Sequence, residues 1–122
     1  MKILLLSTAL ALAVAQPAYS QSVMTCQVID DYIPVGQTFP VDNDPAYLDG
    51  STPGSRVNVR TGPGTEYEAI AYGLVGDAVQ VIGQAFSTTC DTWVKVRFPI
   101  SGQIGWIRSD FIRLHYQRGW WT

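Results

Sequence analysis

Histidine is nearly absent from this chain: His115 is the only one in 122 residues, and the cysteines number two, Cys26 and Cys90. One imidazole and no Cys-x-x-Cys argue against a zinc centre or a dithiol redox motif. No segment keeps a helical period, so no glycine-rich phosphate loop opens a helix. Lys and Arg are missing altogether from residues 21–55, which carry Asp30, Asp31, Asp42, Asp44 and Asp49. The seven basic residues of 56–122 stand beside five acidic ones. That balance lacks the clustered basic face of a nucleic-acid footprint and does not favour anionic membranes.

The chain has a single long apolar run, Ile3–Ala15, broken by Ser7 and Thr8. It is far shorter than the ~20 residues a spanning helix needs. Met1-Lys2 precedes it, and Ala18-Tyr19-Ser20 follows with small residues where a signal peptidase cuts. Residues 1–20 therefore read as a secretory signal peptide, with export to a periplasmic or extracellular space and no membrane insertion after cleavage. Cys26 lies past the expected cut, and Val23-Met24-Thr25 does not resemble the stretch before a lipidated cysteine. In an oxidising compartment the expected state of Cys26 and Cys90 is a structural disulfide. It would close a loop of about 65 residues, a constraint worth about 4 kcal/mol in the chain-entropy account.

Past the leader the chain alternates in short stretches. Ser22–Ile29 can form a first strand. Residues 30–55 are punctuated by Pro34, Gly36, Pro40, Pro45, Gly50, Pro53 and Gly54, which argues against a long helix or a central strand. Tyr32, Ile33, Phe39, Val41, Tyr47 and Leu48 between them are too many for a free linker. Residues 21–55 are thus expected to be an N-terminal strand plus an acidic, Pro/Gly-rich loop packed on the domain. Asp42-Asn43-Asp44 lacks the glycine and glutamate of a calcium loop and reads as a surface turn. From Arg56 strands and turns follow closely: Arg56–Arg60, Tyr67–Tyr72, Ala78–Ile82, Trp93–Phe98, Ile104–Arg108 and Phe111–Leu114. That spacing predicts an all-β domain over 56–114, a small barrel of five to six short strands with a long irregular N-terminal insertion. Residues 115–122 form a tail ending in Trp120-Trp121.

Arg56-Val57-Asn58-Val59-Arg60-Thr61-Gly62-Pro63-Gly64-Thr65-Glu66-Tyr67 resembles the signature of bacterial SH3 domains. Gly76-Asp77 before Val79 and Val81, Trp93-Val94-Lys95-Val96, Gly102-Gln103-Ile104-Gly105-Trp106-Ile107 and Phe111-Ile112 continue the likeness in order. The resemblance implies an SH3-like barrel and a non-catalytic module that binds peptidoglycan or a peptide or protein ligand. It implies no cofactor.

Candidate ligand-binding residues are Tyr67, Tyr72, Trp93, Trp106 and Arg60. Aromatic rings can stack on sugars or line a peptide groove. Trp93 shares a strand face with Lys95 and Arg97, so it is expected to be an exposed or half-exposed platform, with Tyr67 next. Trp106, between Ile104 and Ile107, is expected to be at least half in the core. Asn58 and Arg60 form the polar face of the signature and serve either a ligand or the turn that follows. A second use of the chain is as an interaction or regulatory domain that employs the acidic loop and Trp120-Trp121. An enzyme would need a nucleophile beside a base; with both cysteines paired, His115 has no thiol to activate. No catalytic residue and no metal site is assigned.

Overall fold

Alternation of apolar and polar side chains over four to ten residues builds almost the whole computed structural model, which describes residues 23–115. The strands are β1 (Thr25–Val28), β2 (Asp31–Pro34), β3 (Phe39–Leu48), β4 (Arg56–Arg60), β5 (Ala69–Leu74), β6 (Ala78–Phe86), β7 (Thr92–Arg97), β8 (Ile104–Arg108) and β9 (Ile112–Leu114). A single 3-10 turn, Ser109–Phe111, joins β8 to β9. The expected signal peptide and the Trp120-Trp121 tail lie outside the described residues.

β3 to β9 form one antiparallel sheet in the order β5-β4-β8-β7-β6-β3-β9, and β1 and β2 form a separate hairpin. The sheet rolls around one core. Leu48 of β3, Val59 of β4, Val79 of β6, Val96 of β7 and Ile107 of β8 are all fully buried in the same apolar cluster. Five strands can share one cluster only when the sheet curls on itself, as in a small barrel. Apart from that 3-10 turn, the described residues form an all-β, SH3-like fold, as the spacing and the resemblance imply.

The Pro/Gly-rich segment behaves differently from the expected loop. Its residues Phe39–Leu48 are a ten-residue strand inside the sheet, paired with β6 on one side and β9 on the other. The prolines are tolerated by placement. β9 pairs with Ala46–Leu48 only, so Pro40 and Pro45 lie outside the β3–β9 ladder. The N and O of a strand residue point the same way. The Pro45 carbonyl accepts the His115 N–H at 3.3 Å, so the missing Pro45 N–H faces that same side. The β3–β9 ladder stops there without stranding a partner. Between Pro40 and Asp44 the register with β6 shifts, and Asn43 takes φ 50°, a conformation asparagine tolerates. Asp49, just past β3, binds Arg113 of β9 at 2.6 Å.

The β1–β2 hairpin is tied on by few links. Val35 N–H to Met24 O extends the hairpin's own ladder, and Gly36 N–H to Phe86 O ties it to β6, both at 2.9 Å. The covalent link is the Cys26–Cys90 disulfide, with Cα atoms 5.5 Å apart. Cys90 sits in the turn after β6, where Ser87 and Asp91 exchange backbone and side-chain hydrogen bonds.

Candidate functional site

β4 pairs with β5 along its whole length but meets β8 at a single position, Arg60 opposite Trp106. The start of β4 therefore splays from the end of β8. The gap is a groove of about 250 Å³. Alternation along β4 sends Val57 and Val59 to the core and Arg56, Asn58 and Arg60 to the outside, where they form one wall. Arg108 of β8 and Phe111 of the 3-10 turn form the other wall, and Trp93 of β7 lies between them. Thr65, from the loop after β4, closes one end.

The three arginines are held differently. Arg60 reaches across the loop that follows β4 and donates to the carbonyls of Thr65 and Tyr67, at 3.4 and 3.0 Å. The Arg56 guanidinium lies 4.3 Å from the centroid of the Tyr72 ring, a cation–π contact across β4 and β5. Arg108 makes a two-pronged pair with Asp110 at 2.8 and 2.9 Å. That hydrogen bond, then the charge of Asp110, raises the Arg108 pKa above its ordinary value. Among the described residues no carboxylate comes within ion-pair distance of Arg56 or Arg60. The β4 wall thus keeps its positive charge, while the β8 wall is largely neutralised by Asp110.

Trp93 corrects an expectation. It is 4 % exposed rather than a platform. Its strand face does carry Lys95 and Arg97, but that outer face is covered. Trp93 pairs across strands with Ala85, and with Trp106 the three form a second apolar cluster. The small Ala85 leaves room for the indole beside it. Trp93 therefore meets the groove only with its rim. Trp106 is 7 % exposed, buried with Trp93 and Ala85 rather than in the main core with Ile107, and it does not line the groove.

The remaining candidates lie elsewhere. Tyr67 is 40 % exposed, but its ring packs on Gly62, where a Cβ would fall 2.5 Å from a ring carbon. Gly62 is thus required by close approach, and Tyr67 braces the loop as well as facing solvent. Tyr72 lines a different cleft, between β5 and the β7–β8 turn. The structure joins Arg60 and Trp93 in one groove and leaves Tyr67, Tyr72 and Trp106 outside it. The sequence reading missed Arg56, Thr65, Arg108 and Phe111. Arg108 stands opposite Trp93 because the turn pairs Phe98 N–H with Gln103 O, a register that the folded hairpin sets.

Among the described residues no three His, Cys, Asp or Glu side chains gather where they could hold a metal ion, and no helix is long and apolar enough to cross a membrane.

A rolled, short-stranded sheet with a strand-edge groove defines a small SH3-like domain. Residues 55–113 match the family model of the bacterial SH3 domain, and that stretch belongs to this family of binding modules. Two curated proteins are similar. A protein named serine/threonine-protein kinase D, from Synechocystis, is 36% identical over 63 residues, 52% of this chain and 12% of its own length. An uncharacterized protein of Treponema pallidum is 36% identical over 77 residues, 62% of this chain and again 12% of its own. The chain thus spans about an eighth of these relatives, and the kinase name describes that whole protein. No solved structure matches.

Proposed function

We propose that the protein is an exported, non-catalytic binding module that holds an extended, carboxylate-bearing peptide in the groove beside β4, as supplied by the peptide part of peptidoglycan. The observation that carries this reading is the pair Arg56 and Arg60, without a carboxylate partner among the described residues and set four residues apart on one wall, beside Trp93 and Phe111. Guanidinium groups favour carboxylates through charge-assisted hydrogen bonds. The aromatic rims give an extended chain an apolar surface to lie on. The splayed part of β4 adds a strand side that β8 does not cover.

Export is supported by the leader and by the disulfide, which persists in oxidising compartments. The non-catalytic reading is supported by where the candidate nucleophiles sit. Cys26 and Cys90 are joined, and His115 stacks near Tyr47, with ring centroids 5.5 Å apart, away from the groove. Asp49 of the N-terminal segment has a structural partner in Arg113.

The test is sedimentation of the disulfide-intact protein with purified peptidoglycan, read against salt. Retention at low salt should fall as salt rises, and Arg56→Ala should weaken it by about ten- to a hundredfold, the range for one charge-assisted hydrogen bond of about 1.5–3 kcal/mol. A folded protein that is not retained at low salt would reject the cell-wall reading. Retention indifferent to Arg56→Ala would reject the groove.

A further inference from the structure

β5 is an outer strand of the seven-stranded sheet and pairs with β4 alone. Such edges are usually blunted by charges, proline or a covering segment. Ala69–Leu74 reads Ala-Ile-Ala-Tyr-Gly-Leu and carries none of the first two. Its one irregularity lies at Ile70, and Ala71 to Leu74 pair regularly with β4. Ile70, Tyr72 and Leu74 are 45, 53 and 39 % exposed.

The edge is not bare surface. A cleft of about 390 Å³ is lined by both Ala71 and Tyr72. Neighbours in a strand point to opposite faces, so a cavity that touches both must run along the strand's edge. Its far wall is the β7–β8 turn, with Phe98, Pro99 and Ile100, and Ile100 is wholly exposed. Among the described residues no backbone hydrogen bond reaches Ile70 to Gly73 from beyond β4. At Leu74 the open ladder ends, because the Asp77 carboxylate accepts the Leu74 N–H at 2.9 Å. Unpaired N–H and C=O groups along a strand are satisfied in full only by water or by another backbone.

Charge narrows the occupant. Among the described residues Asp77 is the only charged side chain lining the cleft, and Glu68 immediately precedes β5. Arg56 rests on the Tyr72 ring but does not line the cleft. The edge is therefore bounded by carboxylates at both ends, opposite in sign to the groove beside β4.

We propose that the outer edge of β5 binds an extended peptide by strand addition. The peptide inserts its backbone between β5 and the β7–β8 turn, sets an apolar side chain between Tyr72 and Ile100, and carries a Lys or Arg beside Asp77. This site shares no lining residue with the groove, and the Arg56–Tyr72 contact is where the two adjoin. The β7–β8 turn stands across the edge, which leaves room for one added strand rather than for the sheet of a second copy.

The test uses the isotope-labelled, disulfide-intact protein and one probe, acetyl-Val-Thr-Val-Thr-Val-Lys-amide. The expected result is saturable binding that slows amide exchange within Ile70–Gly73. Replacing the probe's Lys with Glu should weaken binding at least tenfold. Ile100→Asp should do the same, and Ile100→Ser less, with thermal melting unchanged because that side chain touches solvent only. Absence of saturation at millimolar probe would overturn the proposal. So would protection confined to residues outside β5, or a β5-mediated dimer that the probe does not dissociate.

Discussion

Removing the Cys26–Cys90 bridge should expose how the N-terminal hairpin is held. The bond closes a loop with a sequence separation of 64. In the chain-entropy account, a loop of that length restricts the unfolded chain by about 4 kcal/mol. For a domain near 100 residues each kcal/mol moves the melting temperature by about 4–8 °C, so the double variant Cys26→Ala, Cys90→Ala should melt roughly 15–30 °C lower. Alanine is preferred to serine because Cys26 is 2 % exposed and a hydroxyl there would need a partner. The hairpin's few hydrogen bonds predict a second effect. Amide exchange at Gly36, which bonds Phe86 O of β6, should rise before that of β6 and β7. Calorimetry with native-state exchange reads both. A melting change below about 5 °C, with the Gly36 amide still protected, would refute the argument, because it would mean noncovalent contacts alone secure the hairpin.

Three further outcomes follow from local geometry. Arg113 binds Asp49 and holds its carboxyl below the usual value of 3.8, through the hydrogen bond first, with the backbone N–H of Gly50 helping. A folded-state pKa below the unfolded one gives stability that is present above the unfolded pKa and is lost as pH falls through the folded one. Urea melts should therefore weaken below about pH 4, and Asp49→Asn should flatten that acid limb; an unchanged limb would show that other carboxylates set it. Gly105→Val should destabilise the domain by about 1–3 kcal/mol or more, because even a Cβ there collides with the Val59 side chain; wild-type denaturation midpoints would contradict that packing. Arg60→Ala should cost about 1 kcal/mol and raise exchange at Thr61 and Tyr67, whose loop it clamps; a silent substitution would mean the loop is self-supporting.

What could be read from the residues was local. Val57 and Val59 alternate with Asn58 and Arg60, and a strand with one buried face follows directly. Gly62-Pro63-Gly64 marks the stop of that strand. The two cysteines define their own pairing. β3 was hidden because proline is read as a strand breaker, and its tolerance depends on which side of Pro40 and Pro45 faces a neighbour. That is decided by β6 and β9, which lie more than thirty residues away in sequence. Trp93 was misplaced for the same reason. Alternation assigned it to the outer face correctly, but its burial depends on Ala85 and Trp106 across the sheet. The groove was only half visible because its walls come from β4 and from the end of β8, which touch at one residue pair.

β3 has a practical consequence for anyone cutting this gene. The family match begins at residue 55, yet the strand between β6 and β9 is supplied by Phe39–Leu48. A fragment trimmed to the match would lose the inner partner of both strands and bare two sticky flanks. The barrel is a composite, completed by a donated strand that an exposed Gly50–Ser55 connection joins to the rest. Severing that connection should leave two complementary pieces that reassemble, with the Cys26–Cys90 bond as a covalent record of each correct reunion.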